Sequence, residues 1–360
     1  MATSSKSSPY LPEEVIFKVL SWTKGTSLLR FKFVCKLWHS IITDKKFMES
    51  HQTNSFKNPS VLMITNRDAT TIFNSNSPEE NCLDLHLPSP FDGMELVNSC
   101  NGIVCVREAI IDDLYLLNPL TRMSRRLPVI YMPEQPLYRY FQVYVAFGFD
   151  CVSRDFKVLK VKYYGERNSN YMNLRAVYLY TSKANSWRKI EINCTTLPKI
   201  GWLPSYPVLV HGPIVNGVLH LKAKHNIVTF DLHTEIFGLI PFWLQESKLH
   251  AKSHVLEFKG SVAMIFKSDA SIDKDTSLWT VEVVSGEVFW NKVLTFDASS
   301  KIDWVFLYSS SGQFVGQMDY GKVLLYDYRK KETKCIGVSS ESLVRVLEHT
   351  ESFLSVEGLE

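Results

Sequence analysis

A strand, a polar turn and a second strand recur as one unit five times along this chain. Each unit joins two short apolar runs rich in Val, Ile, Tyr and Phe, which is typical of β-strands. The five copies are YLLNPLTRMSRRLP (115–128), YLYTSKANSWRKIEI (178–192), VTFDLHTEIFGLIP (228–241), WTVEVVSGEVFWNKV (279–293) and LLYDYRKKETKCIGV (324–338). Aligned at Asn118, Thr181, Asp231, Glu282 and Asp327, successive copies lie 63, 50, 51 and 45 residues apart. This spacing predicts the blades of a β-propeller, because a blade buries its faces only against neighbouring blades; a barrel or a sandwich is the alternative.

Glycine turns precede several of these units and support the prediction. They occur in SCNGIVCV (99–106), PIVNGVLHL (213–221) and EFKGSVAMIF (257–266), and a fainter copy of the unit begins at VLMITNRDATTIFNSN (61–76). Asn101-Gly102 and Asn216-Gly217 are expected to form type I′ hairpin turns, in which both residues adopt positive φ. We also expect a turn at Asn118-Pro119 and a packing role for Trp187.

The first fifty residues carry a helical pattern instead. Pro12 suits the first helical position, and Glu13 and Glu14 complement the positive end of the helix dipole. The apolar stripe of this helix consists of Val15, Ile16, Val19 and Leu20. A second helix is expected to be capped by Thr26 or Ser27, and a third to begin near Cys35. Their apolar residues are Leu28, Phe31 and Val34 in the second helix and Trp38, Ile41 and Ile42 in the third.

Three short helices over about forty residues bury too little surface to be stable alone. Their surplus of large apolar side chains predicts a docking surface for another protein. The alternative is a helical cap that packs only on the domain that follows it.

The helical segment resembles the F-box, the module that joins a substrate receptor to the Skp adaptor of a cullin ubiquitin ligase. The resemblance covers residues 11–51 and lies in LPEEVIFKVL, in LLRFKFVCKLW and in Phe47 and His51. It implies that Leu11 and Pro12 seat the first helix on the adaptor. The residues it assigns to adaptor binding, by contact or by packing within the module, are Leu11, Pro12, Val15, Ile16, Leu28, Phe31, Val34, Cys35, Lys36, Trp38 and Ile41. Thr23 and Lys24 stand where the family usually has leucine and proline, which implies weaker adaptor affinity.

The remaining chain resembles the F-box-associated domain of plant F-box proteins. The resemblance rests on five ordered motifs: NSCNGIVCV, LYLLNPLTRMSRRLP, VAFGFDCVSRDFKVLKV, AVYLYTSKANSWRKIEI, and VNGVLHL followed by IVTFDLHTEIFGLIP. The closing TESFLSV (350–356) is similar to the short strand that ends many family members. One branch of the family, the pollen S-locus F-box proteins, recognises pistil ribonucleases and marks non-self forms for degradation; other branches act in defence or development. These motifs do not choose between the branches.

Charge and composition exclude several other classes. The 40 basic and 37 acidic residues leave a formal charge of +3, so no whole-protein field favours nucleic acid or an anionic membrane. The first nine residues lack an apolar core, and no run of eighteen apolar residues occurs, so neither a secretory signal nor a membrane span is expected. We therefore expect a cytoplasmic protein that also enters the nucleus. Seven scattered cysteines without a C-x-x-C motif predict reduced, mostly buried thiols.

An enzyme is the rival class, since propellers hold catalytic sites in their channels, but the sequence offers no common catalytic motif. His250 and His254 have the spacing of one helical face, although surface positions are the simpler interpretation. Asp112-Asp113 and Asp150 are the candidate carboxylates. Two basic clusters, at Arg122, Arg125 and Arg126 and at Arg329, Lys330 and Lys331, fit solvated faces or contact with an acidic partner.

The sequence therefore predicts a multidomain α plus all-β protein with a disordered tail at 1–10, a three-helix F-box at 11–51 and a propeller at 55–356. The expected function is that of a non-catalytic substrate receptor without cofactor or metal, which binds the Skp adaptor and, through it, cullin. Its other partner is an unidentified protein target. Target contacts are expected in the polar or aromatic connections 132–140, 163–173 and 267–277. A binding module uncoupled from the ligase is the alternative.

Overall fold

A computed structural model describes most of the chain. The described residues are 11–57, 60–64, 70–74, 83–85, 94–108, 111–130, 140–165, 172–191, 212–223, 226–242, 253–267, 276–296, 302, 304–318, 322–339 and 345–357. Helices occupy the first of these segments, and strands occupy nearly all the others.

Four helices come first: α1 (Glu13–Ser21), α2 (Gly25–Phe31), α3 (Lys36–Thr43) and α4 (Lys45–Lys57). Pro12 is the residue before α1 rather than its first residue, and Glu13 and Glu14 fill the first turn as predicted. The α3 start is confirmed, since the Cys35 sulfur accepts a hydrogen bond from the backbone N–H of Trp38 at 3.5 Å.

The predicted start of α2 was wrong. This helix begins at Gly25, after Lys24, and neither Thr26 nor Ser27 caps it. The acceptor at its start is instead the Glu351 carboxylate, whose Oε2 lies 2.7 Å from the backbone nitrogen of Gly25. A residue distant in sequence therefore caps the start of α2 in place of a neighbouring side chain. Val34 lies beyond the end of α2, in the turn before α3.

The sequence analysis did not foresee α4. Its start is nevertheless marked by a local signal, because Asp44 Oδ1 accepts hydrogen bonds from the backbone N–H groups of Lys46 and Phe47 at 2.9 and 3.2 Å. Phe47 and His51, one turn apart, then face the core of the helical module.

Within the described residues, the strands form six four-stranded antiparallel sheets, the blades of a β-propeller. Blade 1 contains β24 (Arg345–His349), β1 (Ser60–Ile64), β2 (Thr70–Asn74) and β3 (Leu83–Leu85). Blade 2 contains β4 (Glu95–Cys100), β5 (Ile103–Glu108), β6 (Asp113–Asn118) and β7 (Met123–Arg126), and blade 3 contains β8 (Tyr140–Asp150), β9 (Asp155–Gly165), β10 (Met172–Thr181) and β11 (Ser186–Ile190). Blade 4 contains β12 (Ile214–Val215), β13 (Val218–Lys222), β14 (Asn226–Asp231) and β15 (Phe237–Pro241). Blade 5 contains β16 (Ser253–Phe258), β17 (Ser261–Lys267), β18 (Thr276–Val284) and β19 (Glu287–Phe296), and blade 6 contains β20 (Trp304–Tyr308), β21 (Phe314–Gln317), β22 (Lys322–Asp327) and β23 (Glu332–Ser339).

The repeated unit of the sequence is the outer hairpin of a blade. Its five copies are the third and fourth strands of blades 2 to 6, and the glycine turns join first and second strands. Blade 1 departs from this plan because its first strand, β24, comes from the C-terminal end of the chain and pairs with β1, from Ser60↔His349 to Ile64↔Arg345. The fainter copy at 61–76 is therefore the second and third strands of blade 1.

Apolar cores lie between neighbouring blades. The core between blades 2 and 3 joins Ile103 and Leu116 to Phe147 and Val158, all with almost no exposed surface. Trp187 takes part as predicted: its ring lies 5.4 Å from that of Tyr180, and its Nε1 donates a hydrogen bond of 2.7 Å to the Pro128 carbonyl of the preceding blade. Burial of these faces stabilises the ring rather than any single blade.

The predicted type I′ turns are confirmed. Asn101 and Gly102 have φ of 51° and 79°, and Asn216 and Gly217 have φ of 51° and 77°. TESFLSV, in contrast, is not a strand: β24 ends at His349, and residues 350–357 continue without regular structure.

The cysteines among the described residues are free, as predicted, but the expectation that most are buried was wrong. Cys35, Cys151 and Cys335 are exposed, Cys100 is half-buried and Cys105 is buried. Cys82 and Cys194 lie outside the described residues.

The interpretation of His254 as a surface residue was also wrong. This side chain lies on β16, in a strand rather than a helix, and only 2% of it is exposed. Its ring stacks on Trp304 with centroids 4.6 Å apart. His250 lies outside the described residues.

Buried histidines should make the propeller less stable in mild acid. Burial lowers the pKa of His349 to about 4, and burial with the nearby Lys222 charge lowers that of His254 to about 3. A histidine in the unfolded chain has a pKa of about 6.5. Below that pH the unfolded chain binds protons that the folded chain does not bind, so the stability that is present above this pKa is lost as the pH falls. At pH 5.5 the loss is about 1 kcal/mol for each histidine, and thermal unfolding at pH 7.5 and 5.5 measures it.

A His349→Gln variant supplies the control. Glutamine keeps a hydrogen-bonding group near Ser99, whose Oγ lies 2.8 Å from His349 Nδ1, but it does not titrate. The variant should therefore show a smaller drop in melting temperature between the two pH values. An equal drop in both proteins would show that His349 does not contribute.

Candidate functional site

The helical module exposes an unusual number of large apolar side chains. They are Leu11, Val15, Val19 and Trp22 along α1 and its flanks, and Phe33, Val34 and Leu37 at the turn into α3. We call these seven residues the exposed apolar set. Phe33 is the extreme case, with 88% of its surface exposed. Seven exposed apolar side chains between residues 11 and 37 indicate a protein interaction surface, because single exposed apolar residues are common but so many in a short segment are not.

The same helices also contribute to a closed core. Leu20, Leu28, Ile41, Ile42 and Phe47 are buried there. Val15 and Val19 of α1 and Trp22 directly after it follow one another at intervals of four and three residues and face outward. Ile16, Phe17 and Leu20 turn toward the core. The helix is therefore apolar on two sides, of which the module itself covers one.

The residues that the F-box resemblance assigns to adaptor binding divide into three groups. Leu11, Pro12, Val15, Val34, Cys35 and Lys36 are exposed; Ile16, Phe31 and Trp38 are half-buried; Leu28 and Ile41 are buried. The rings of Phe31 and Trp38 meet edge to face with centroids 5.2 Å apart. The exposed group is available to a partner, and the other two shape the module beneath it.

Four exposed apolar residues were absent from the predicted site: Val19, Trp22, Phe33 and Leu37. The spacing of Val15, Val19 and Trp22 is a signal in the sequence that could have found two of them. Phe33 carries no such signal, since it lies in the turn between two helices.

The unusual turn at Thr23 and Lys24 is well anchored. The Thr23 carbonyl accepts a hydrogen bond from His51 Nε2 at 2.9 Å, and its hydroxyl donates to the Val19 carbonyl at 3.0 Å. Burial lowers the pKa of His51, against the opposing influence of the Thr23 carbonyl and of Glu351. The neutral imidazole thus ties α4 to the end of α1.

The helical module sits on the propeller through two side chains from outside the helices. Leu120, in the turn between β6 and β7, and Phe353, which follows β24, are both buried in the helical core. The seat lies on the side of the propeller where first strands turn into second strands and third into fourth.

The predicted target-binding connections leave from the opposite side. They extend from Arg126 to Tyr140, from Gly165 to Met172 and from Lys267 to Thr276, and so join fourth to first or second to third strands. Alternate turns of an antiparallel sheet lie at opposite ends of its strands. Residues 131–139, 166–171 and 268–275 themselves lie outside the described residues.

The candidate carboxylates are engaged in ion pairs. Asp112 lies 2.9 Å from Arg107, 2.8 Å from Lys160 and 3.4 Å from Lys162. Although burial opposes ionisation, these cations hold the pKa of Asp112 below its usual range. Since Arg107 belongs to blade 2 and the lysines to blade 3, this network links neighbouring blades.

The other two carboxylates have similar settings. Asp113 pairs with Arg126 at 2.5 Å. Asp150 lies 3.0 Å from Lys157, and hydrogen bonds from Ser153 and Lys157 keep its pKa well below the usual value despite burial. In the described part of the chain, no group of three or more His, Cys, Asp or Glu residues is placed to hold a metal ion.

The basic clusters lie mostly on the surface. Arg122 and Arg126 are exposed, as are Arg329, Lys330 and Lys331. Arg329 rests on the Tyr328 ring with 5.6 Å between its guanidinium and the ring centroid. This position agrees with the interpretation of solvated faces. Among the described helices, none has both the length and the apolar character needed to cross a membrane.

A propeller that carries a helical module with an uncovered apolar surface has the architecture of a protein-interaction subunit. Comparison with known families defines it further. Residues 60–338 match the family described as the F-box associated beta propeller domain, and residues 9–50 match the F-box domain. The chain therefore belongs to the F-box proteins with an F-box-associated propeller, which confirms the resemblance found in its sequence.

Relatives of this chain that are named as F-box proteins occur in Arabidopsis thaliana. F-box protein At3g07870 is 24% identical over 311 residues, which cover 78% of this chain and 71% of the relative. F-box protein CPR1 is 24% identical over 352 residues, which cover 92% of this chain and 82% of the relative. Putative F-box protein At3g10430 is 31% identical over 244 residues, which cover 64% of this chain and 61% of the relative. Solved structures are more distant: that of YjhT aligns with a TM-score of 0.43 at 11% identity over 71% of this chain and 86% of that one.

The division between core and surface in the helical module predicts unequal effects of truncation. Leu28→Ala, at a fully buried site, should destabilise the module by about 2–5 kcal/mol because it leaves a cavity. Val19→Ala, at a site 61% exposed, should change stability by less than about 0.5 kcal/mol. Amide hydrogen exchange of α1 to α3 measures both changes, and equal effects would contradict this assignment.

Proposed function

We propose that this chain is the substrate-recognition subunit of an SCF-type ubiquitin ligase. Its F-box binds the Skp adaptor and, through it, cullin, while its propeller binds a target protein and so promotes the ubiquitination and degradation of that target. The exposed apolar set carries the proposal, because the propeller seat leaves these seven side chains uncovered on a module of the F-box family.

The adaptor contact is proposed to centre on the exposed residues of the predicted site: Leu11, Pro12, Val15, Val34, Cys35 and Lys36. Val19, Trp22, Phe33 and Leu37 extend it. Ile16, Leu28, Phe31, Trp38 and Ile41 support the contact from within the module. This division follows from burial, since a buried side chain stabilises the surface that presents the exposed ones.

The proposed mechanism is proximity. The ligase supplies the chemistry on other subunits, and this chain holds the target so that its lysines meet the charged ubiquitin carrier at high effective concentration. No residue of this chain needs to take part in the reaction. The proposed place of action is the cytoplasm and the nucleus.

The proposed target face is the side of the propeller opposite the F-box. Strand ends that lead into 132–140, 163–173 and 267–277 all open on that side, so a target bound there leaves the helical module free for the adaptor. Since the pollen S-locus proteins are one branch of this family, a pistil ribonuclease is one candidate target.

Adaptor binding should depend on the exposed apolar set. A Val15→Glu, Val34→Glu double variant places two carboxylates where the proposed contact excludes water, so each should weaken binding by about tenfold or more. Copurification with the Skp adaptor, followed by calorimetry, measures the loss.

The matched control is Thr53→Glu, which adds a carboxylate at an exposed position of α4. It should bind the adaptor as the native chain does. Circular dichroism would confirm that the double variant keeps its helices. If a folded double variant retained native affinity, the assignment of this surface would be wrong.

Target choice should follow the connections on the opposite side. Exchanging 132–140, 163–173 and 267–277 for those of a relative should change which proteins copurify, because loops vary while sheets stay packed. Proteins recovered with both chains are then followed in cells with cullin neddylation active or blocked.

A target that is stabilised when neddylation is blocked supports ligase function. A target that binds but turns over at the same rate under both conditions would favour the non-degradative alternative. An unchanged set of bound proteins after the exchange would count against these connections as the recognition site.

A further inference from the structure

The last eight described residues, 350–357, run between the helices and the propeller. We call them the C-terminal tail. We propose that the tail is a positioning element that locks the F-box to the propeller in one orientation, so that a bound target is held at a fixed distance from the ligase. The proposal rests on the receptor function proposed above, and it adds a role for a segment outside the proposed adaptor and target surfaces.

The tail contacts the helices through two side chains. Glu351 accepts the hydrogen bond from the backbone N–H of Gly25 at the start of α2. Phe353 is 9% exposed, lies in the helical core and meets the His51 ring at 5.2 Å. Lys32 Nζ lies over the Phe353 ring, 5.0 Å from its centroid. The tail therefore contacts α2, Lys32 directly after α2, and α4.

The tail contacts the propeller through its backbone and through Val356. Asn118, which is completely buried, donates from Nδ2 to the carbonyl oxygens of Ser352 and Leu354 at 2.9 and 2.8 Å. Asn118 Oδ1 accepts from the backbone N–H of Leu120 at 2.9 Å. Val356 is fully buried in the core between blades 2 and 3. Separating the tail would leave the buried Nδ2 group of Asn118 without these two acceptors, which is unfavourable for a donor enclosed in the protein.

A single buried amide thus joins three parts of the molecule. Asn118 holds the tail with one end and shapes the β6–β7 turn with the other, and that turn presents Leu120 to the helical core. The Asn118-Pro119 turn expected from the sequence is therefore present and has a second role at the domain junction.

The junction is closely packed around two glycines. A Cβ atom on Gly25 would lie 2.7 Å from Leu120 Cδ2 and 2.8 Å from Glu351 Oε2. A Cβ atom on Gly102 would lie 2.4 Å from the Ser352 side chain. Rotation of the F-box relative to the tail and the propeller would break the hydrogen bond between Gly25 and Glu351 and expose Phe353. A fixed geometry matters for a proximity mechanism, because effective concentration falls when the two bound partners sample many separations.

The test measures the distance between the two domains in the full chain. Spin labels carried by unnatural amino acids at Thr43 in the F-box and Lys330 in blade 6, both exposed, report the distribution of distances by pulsed electron resonance. The native chain should give one narrow peak. A Glu351→Ala, Phe353→Ala variant should give a distribution about twofold wider or more.

The matched control is Leu354→Ala, in the same tail but with a side chain 37% exposed. It keeps the carbonyl that Asn118 binds and should leave the peak narrow. Glu351→Ala alone removes only the bond to α2, so it tests the lock even if loss of Phe353 unfolds the helices, and it should also broaden the peak. A broad peak in the native chain, or peaks in both Glu351 variants as narrow as the native one, would overturn the proposal.

A second readout separates positioning from stability. In a reconstituted ligase, the lysines of the propeller serve as acceptors, and mass spectrometry maps which of them receive ubiquitin. The native chain should be modified at a restricted set of lysines and the double variant at a wider set, with unchanged adaptor affinity. Equal sets with unchanged affinity would contradict the positioning role. Absence of adaptor binding by the native chain would refute the ligase function, while the distance measurement would still decide whether the tail locks the domains.

Discussion

The pairing of β24 with β1 is the contact that turns a row of blades into a ring. Blades 2 to 6 are each built from four consecutive strands, but blade 1 takes its first strand from near the C-terminus. The same strand also reaches the next blade, where Arg345 donates to the Val97 carbonyl at 3.1 Å and His349 meets Ser99. Because a blade is stable only between two neighbours, loss of this strand would expose apolar faces on both sides of the gap. The stability of the propeller therefore depends on two strands almost three hundred residues apart.

Ring closure also determines how the F-box is held. The tail begins directly after β24, so the strand that closes the ring leads straight into Glu351 and Phe353, which contact the helices. The N-terminal and C-terminal ends of the chain thus meet twice, first as β1 with β24 and then as α2 with the tail. Contacts between such distant segments form late in folding, because the entropy of closing a long loop must be overcome first.

Local signals in the sequence were enough to predict most of the architecture. Five outer hairpins, their glycine turns and the positions of α1 and α3 follow from patterns within about fifteen residues of one another. The features that were missed depend on distant contacts: the acceptor at the start of α2 is Glu351, and blade 1 is divided between the two ends of the chain. His254 was misplaced for the same reason, since its burial follows from the packing of β16 against β20 rather than from its neighbours in sequence. The α4 helix is different, because its start carries a local signal, the Asp44 cap, that is readable in the sequence.

The candidate site shows a further limit of sequence patterns. An apolar residue at helical spacing has the same appearance whether it faces a core or a partner, so Leu28 and Val34 could not be distinguished before their burial was known. The propeller resolves the ambiguity, because Leu120 and Phe353 complete one apolar side of the module and leave the other uncovered. The seat thus uses turns on one side of blade 2, while the strand ends that lead into 132–140, 163–173 and 267–277 open on the other side of the propeller. The junction that holds the two domains together therefore lies apart from these connections, so their sequence can change without disturbing it.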